Sequence, residues 1–157
     1  VRLIFYFLLV LVAAILDHAC LSAWWFAPDL SLALAAWAMV DGPEDGVVDR
    51  AFLAGIARDL ADPLGSGFHT LTMTLLGLAC IPVRRFLFRT RAAAWMVWAA
   101  ADFVALRLGD ALLTGSGDLS LGRLLVGAVS TALAAVLCGW LFGGLPKSIR
   151  PVAAGGA

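Results

Sequence analysis

The sequence predicts an all-α integral membrane protein: six transmembrane helices, both termini cytoplasmic, and a single polytopic domain over residues 1–157. Three observations lead there. Hydrophobic residues make up 62% of the 157-residue chain and charged residues only 14%, whereas a soluble domain carries about 25% charged residues. The mean hydropathy is +0.97, so the solvent of such a chain is lipid. Apolar stretches close to the roughly 20 residues needed to cross the hydrocarbon core recur along the sequence. Threading the chain six times then gathers its positive charges on one side. This composition excludes a secreted enzyme, a nucleic-acid module and a disordered tail. Lys plus Arg and Asp plus Glu balance at 11 each, so net charge points to no polyanionic partner.

The first span covers roughly 3–21. Arg2 followed by the uncharged run 3–16 has the look of a signal peptide, but membrane-grade sequence continues beyond it, which favours a transmembrane helix. The second span, 24–40, begins with Trp24 and Trp25. The third, 47–62, carries Arg58 and Asp59 at its centre, each costing about 2.5 to 3.5 kcal/mol to insert. Val47, Val48, Phe52, Leu53, Ile56 and Leu60 return about 0.3 to 0.6 kcal/mol apiece, roughly 2 to 4 in all. This segment is therefore expected to need shielding by its neighbours, or to enter as a re-entrant hairpin with the next span. The fourth span, 66–88, lies largely within a stretch at 63–83 with no Lys, Arg, Asp or Glu. The fifth, 92–113, holds Asp102, Arg107 and Asp110, and the sixth, 121–143, is apolar from Leu124 onward. With the N-terminus inside, the cytoplasmic side holds Arg2, Arg50, Arg84, Arg85, Arg89, Arg91, Lys147 and Arg150. The opposite side holds Arg107 and Arg123, which agrees with the positive-inside rule.

Charges within a membrane are functional candidates by default, because lipid makes them expensive. At 1.5 Å per residue, Arg58 lies about 12 Å in from Arg50 and Asp102 about 16 Å in from Arg91. The matched depths predict a buried Arg58–Asp102 ion pair between the third and fifth helices. A structural pair that fixes helix register is the simpler reading, and a proton- or ion-coupling site is the alternative. Ala51, Gly55 and Asp59 recur every four residues and share one face. That face invites close approach of another backbone, with Asp59 accepting hydrogen bonds from a neighbouring helix or from N–H groups at 65–67. Gly127, Thr131, Ala135, Gly139 and Gly143 form a second small-residue row, on the sixth helix. It suits packing against another helix of this chain or against a partner's transmembrane helix.

Trp24, Trp25, Trp95, Trp98 and Trp140 are expected mostly at the membrane interfaces. Cys20, Cys80 and Cys138 are widely spaced and read as packing residues. His18 and His69 lack metal-ligand spacing. No phosphate loop, nucleophile elbow or zinc motif is present, so neither an enzyme nor a cofactor is expected.

The segment Phe52-Leu-Ala-Gly-Ile-Ala-Arg-Asp59-Leu-Ala-Asp-Pro-Leu-Gly-Ser-Gly67-Phe-His69 resembles the signature of the rod-shape-determining MreD family. Gly55, Asp59, Gly67 and His69 fall on that family's spacing, although Pro63-Leu64 comes two residues earlier than its Pro-Leu. Pro28 and Asp29 are similar to the family's opening of the second span, and Arg84-Arg85 to its basic cluster after the fourth. The resemblance covers roughly residues 28–91. It implies a non-enzymatic subunit of the cell-elongation machinery in the bacterial inner (cytoplasmic) membrane, supporting lateral peptidoglycan synthesis. The implied partner is an MreC-like single-span protein, with MreB, RodA and a penicillin-binding transpeptidase reached indirectly. The implied fold is similar to the substrate-binding subunit of energy-coupling-factor transporters, which supplies an alternative: a small-molecule, vitamin-like binding subunit. On the scaffold reading, the Arg58–Asp102 pair and the Asp59 face hold a rigid six-helix body, and the sixth-helix row docks the partner.

Overall fold

In a computed structural model the described residues are 2–21, 24, 26–62, 67–87, 91–115 and 120–143. They form six α-helices: α1 (Arg2–Leu16), α2 (Leu30–Asp41), α3 (Val47–Ala61), α4 (Phe68–Leu87), α5 (Arg91–Thr114) and α6 (Leu121–Gly143). A π-helical turn, Asp17–Leu21, extends α1, and a single 3₁₀ turn, Glu44–Gly46, leads into α3. No strand occurs among the described residues. Among the described residues, three helical stretches are long and apolar enough to cross a membrane: Leu3–Leu21, Ala92–Leu112 and Leu121–Phe142. The turn at 63–66, Lys147, Arg150 and the tail lie outside the described residues, as do the side chains of Arg2, Arg84, Arg85 and Arg91.

The second and third helices are shorter than full spans. α2 has 12 residues, about 18 Å, and α3 has 15, about 22 Å, against a hydrocarbon core of about 30 Å. α2 begins at Leu30 rather than Trp24 because Pro28 disfavours helical geometry in the residue before it. Asp29 then takes an extended conformation and caps the helix, its side chain accepting from Leu32 N at 3.0 Å. The apolar residues 24–27 are equally compatible with a helix, so hydropathy alone places this boundary too early.

The short α2 is the axis of the bundle. It packs against all five other helices, and residues from Ser31 to Val40 are buried all round it, Trp37 alone being half-buried. A helix that is apolar on every face belongs in such a position. Around it α3 and α4 form one tight pair and α5 and α6 another, with α1 against α3. The first pair meets through glycine. A Cβ on Gly55 would lie 2.4 Å from Thr70 Cα and 2.8 Å from His69 O, and one on Gly77 would lie 2.5 Å from Ala51 Cβ. The row Ala51–Gly55–Asp59 thus faces α4, and the two backbones touch where side chains are missing.

The second pair uses the sixth-helix row. A Cβ on Gly127 would lie 2.3 Å from the Phe103 ring, and one on Gly139 would lie 2.3 Å from the Trp95 ring. Thr131 and Ala135 are fully buried, and Gly143 closes the helix. Of the two readings of this row, packing against another helix of the chain is the one seen, and partner docking by it is corrected: at Gly127 and Gly139 the slots are filled by α5. The face turned outward is instead Leu121, Leu125, Val129, Leu133, Leu137 and Leu141. Two of the tryptophans also move. Trp24 and Trp140 are exposed, but Trp95 and Trp98 are core residues.

Candidate functional site: a polar cap where four helices meet

α1 and α3 end, and α2 and α4 begin, beside one another, and their polar side chains interlock. Every helix start exposes backbone N–H groups with no partner inside the helix, and the helix dipole makes that end attractive to anions. α2 receives two carboxylates. Asp17, from the π-turn, accepts from Leu30 N at 3.0 Å and from Ser31 N at 2.9 Å. Asp29 accepts from Leu32 N and from Ser31 Oγ at 2.8 Å. Arg58 balances this charge: its Nη1 lies 2.7 Å from Asp29 Oδ1 and 2.8 Å from Oδ2, and it also donates to Ser31 Oγ. Asp29 N donates to Thr131 Oγ1 at 3.0 Å, which fastens the start of α2 to α6. Thr131 is ten residues into α6, about 15 Å along its axis, so α2 starts well inside the bundle.

The opposite end of α2 is clamped by a cation. Arg50 Nη1 donates to Ala38 O at 3.1 Å, which also accepts from Gly42 N, and to Pro43 O at 3.3 Å just beyond the helix. Acid at the start and base at the finish complement the dipole of one short helix.

α4 is capped in the same way from outside. Asp59 accepts from His69 N at 3.1 Å, from Thr70 N at 2.9 Å and from Thr70 Oγ1 at 2.5 Å. Gly67, at φ +72°, supplies the left-handed turn that brings the chain into α4, a conformation glycine adopts freely. Asp62 stands between two histidines, with His69 Nε2 at 3.4 Å and His18 Nε2 at 3.9 Å.

Arg58 and Asp102 do not form the expected ion pair. Arg58 is held by Asp29, while Asp102 is fully buried in α5 with neither oxygen hydrogen-bonded among the described residues. Depth was the wrong criterion. It fixes position along the membrane normal but not the direction in which a side chain points. Asp29, at the actual start of α2, reaches the level of Arg58 and pairs with it.

The six positions Pro28, Asp29, Gly55, Asp59, Gly67 and His69 all fall at two helix starts. Pro28 and Asp29 open α2, Gly67 and His69 open α4, and Gly55 and Asp59 are the neighbouring residues that fit against α4. Asp17, Ser31, Asp62 and Thr70 belong to the same cap but were not singled out from sequence. Only Asp17 carries a signal there, as a carboxylate at the end of an apolar run.

Taken together, the described residues are all-helical, three of their helices are long and apolar enough to cross a membrane, and the carboxylates at the α2 and α4 starts are bonded by the chain itself. No family model, curated protein or solved structure matches it.

Proposed function

We propose that this chain is a non-enzymatic scaffold of the MreD type in the bacterial inner membrane. It crosses six times with both termini cytoplasmic, the shortened α2 being carried in the interior by its longer neighbours and the shortened α3 packed against α1 and α4. It binds an MreC-like single-span protein and, through it, MreB, RodA and a penicillin-binding transpeptidase during lateral peptidoglycan synthesis.

One observation supports this over the transporter alternative: the start of α2 is already capped by carboxylates of the same chain. In transporters built on discontinuous helices, a half-helix start near the midplane points at an anionic substrate group. Here the α2 start is occupied by Asp17 and Asp29 of the same chain. The cavity beside the cap has a volume of about 20 Å³, whereas small-molecule sites run from roughly 300 to 1,000 Å³. Such a cap supports a rigid body that presents its outer surface. Leu3, Ile4, Phe7, Leu53 and Ile56 line an apolar groove of about 370 Å³ between α1 and α3, and its concave shape suits a single partner helix.

The test is detergent co-purification with the MreC-like protein of the same organism. Wild type and a Leu133→Trp variant, altered on the outward face of α6, are expected to retain the partner through washing. Ile56→Trp, which fills the groove, is expected to lose it. Absence of any complex, with capture of an energy-coupling ATPase module instead, would replace the scaffold with the vitamin-like binding subunit.

A further inference from the structure

The cap leaves two polar atoms unanswered, and both belong to residues lining the same cavity. Arg58 uses Nη1 for Asp29 and Ser31, while its Nε is buried without a hydrogen-bond partner. His69 points Nε2 at Asp62, 3.4 Å away, which places its proton there. Its Nδ1 is then a lone-pair acceptor, also buried and unpartnered. Ala14, Asp17, His18, Arg58, Ala61 and His69 line a cavity of about 20 Å³, and one water molecule requires roughly 10 to 15 Å³ with two to four polar partners.

We infer that this cavity is a binding site for one ordered water, which joins α1, α3 and α4. The water accepts from Arg58 Nε–H and donates to His69 Nδ1 and to the Asp17 carboxylate. Each Asp17 oxygen takes one backbone N–H from α2, so each keeps a lone pair for a further donor. One molecule thereby satisfies a donor and an acceptor that would otherwise stay buried and unmade, a situation native structures rarely tolerate. The surrounding charges select a neutral occupant, since Arg58 opposes a cation and Asp17 opposes an anion. The site does not depend on any partner helix.

Solid-state NMR on the full chain in hydrated bilayers, with ¹⁵N-histidine, tests this directly. The chain has 2 histidines, so the signals lost in a His69→Gln control are those of His69, and the site itself is read in the unaltered chain. In mildly alkaline buffer the expected result is a His69 ring protonated at Nε2, with polarisation passing from water protons to Nδ1. Ala61→Val narrows the cavity and is expected to abolish that transfer while the Nε2–H signal stays. A ring protonated at Nδ1, no transfer from water in the unaltered cavity, or transfer unchanged by Ala61→Val would each overturn the assignment. The first two readings need no cavity variant, so they decide the question even if that variant fails to fold.

Discussion

Arg58 is the residue on which the two carboxylate assignments divide. Its Nη1 reaches both oxygens of Asp29 at hydrogen-bond distance, with the two side chains 16% and 13% exposed. Removing one partner of a buried pair leaves the other charge uncompensated, at a cost of about 3 to 5 kcal/mol. Arg58→Ala and Asp29→Ala are therefore each expected to destabilise strongly, and together by much less than the sum of the two. A double-mutant cycle by denaturation in mixed micelles checks this. The cycle for Arg58 with Asp102 is expected to show a markedly smaller coupling, and the charge-reversed pair Arg58→Asp with Asp102→Arg is expected not to recover folded protein. Asp59 makes a second prediction at this scale. Asp59→Ala strips the acceptors from His69 N and Thr70 N, and loss of a helix cap costs about 0.5 to 2 kcal/mol. The first turn of α4 should then lose protection in amide exchange before the rest of that helix.

At the scale of elements, two pairs of helices are closed by absent side chains, and the two contacts differ in what they can absorb. A methyl group at Gly55 would meet backbone atoms of Thr70 and His69, and one at Gly139 would meet the ring of Trp95. A ring can rotate or slide, but a helix backbone moves only as a body. Overpacking costs typically about 1 to 3 kcal/mol. Gly55→Ala is expected at or above the top of that range and Gly139→Ala below it, with the order read from thermal unfolding of the two variants. Gly55→Ala should also loosen the Asp59 contacts, because α4 cannot back away from α3 without drawing His69 N and Thr70 N from the carboxylate. The central α2 follows the same logic in its charges. It is too short to reach both faces of a bilayer, so its ends are met by Asp17, Asp29 and Arg50 of the chain itself.

For the whole molecule, the six alternating passes proposed above would put the end of α1 and the α2–α3 connection on opposite sides of the membrane. Cys20 and Glu44 are both exposed and mark those two sides. With Cys80 and Cys138 replaced by Ala, Cys20 is expected to react with a membrane-impermeant maleimide in intact spheroplasts. Glu44→Cys, made with Cys20 also replaced, is expected to react only after permeabilisation. Labelling of both from one side would exclude the six-span arrangement. The outward faces of α1, α4 and α6, including Phe5, Leu8, Leu71, Leu75, Leu125 and Leu137, are the surface such a body turns to lipid.

Properties that are local in the chain can be read from its residues alone. Composition sets the solvent, hydropathy sets the helical class, and Pro28-Asp29 marks a helix start. A four-residue recurrence picks out Ala51, Gly55 and Asp59 as one face, whatever that face meets. Tertiary structure decided everything that depends on direction around a helix axis and on which helix stands opposite. It gave Arg58 to Asp29 and left Asp102 without a partner, and it sank Trp95 and Trp98 into the core over the glycines of α6. It also turned Asp17 from an awkward charge at the end of a span into a cap for a helix 13 residues away. Each of those outcomes rests on contacts between segments distant in sequence. Spacing along one helix says which residues share a face, and only the packed bundle says what that face touches.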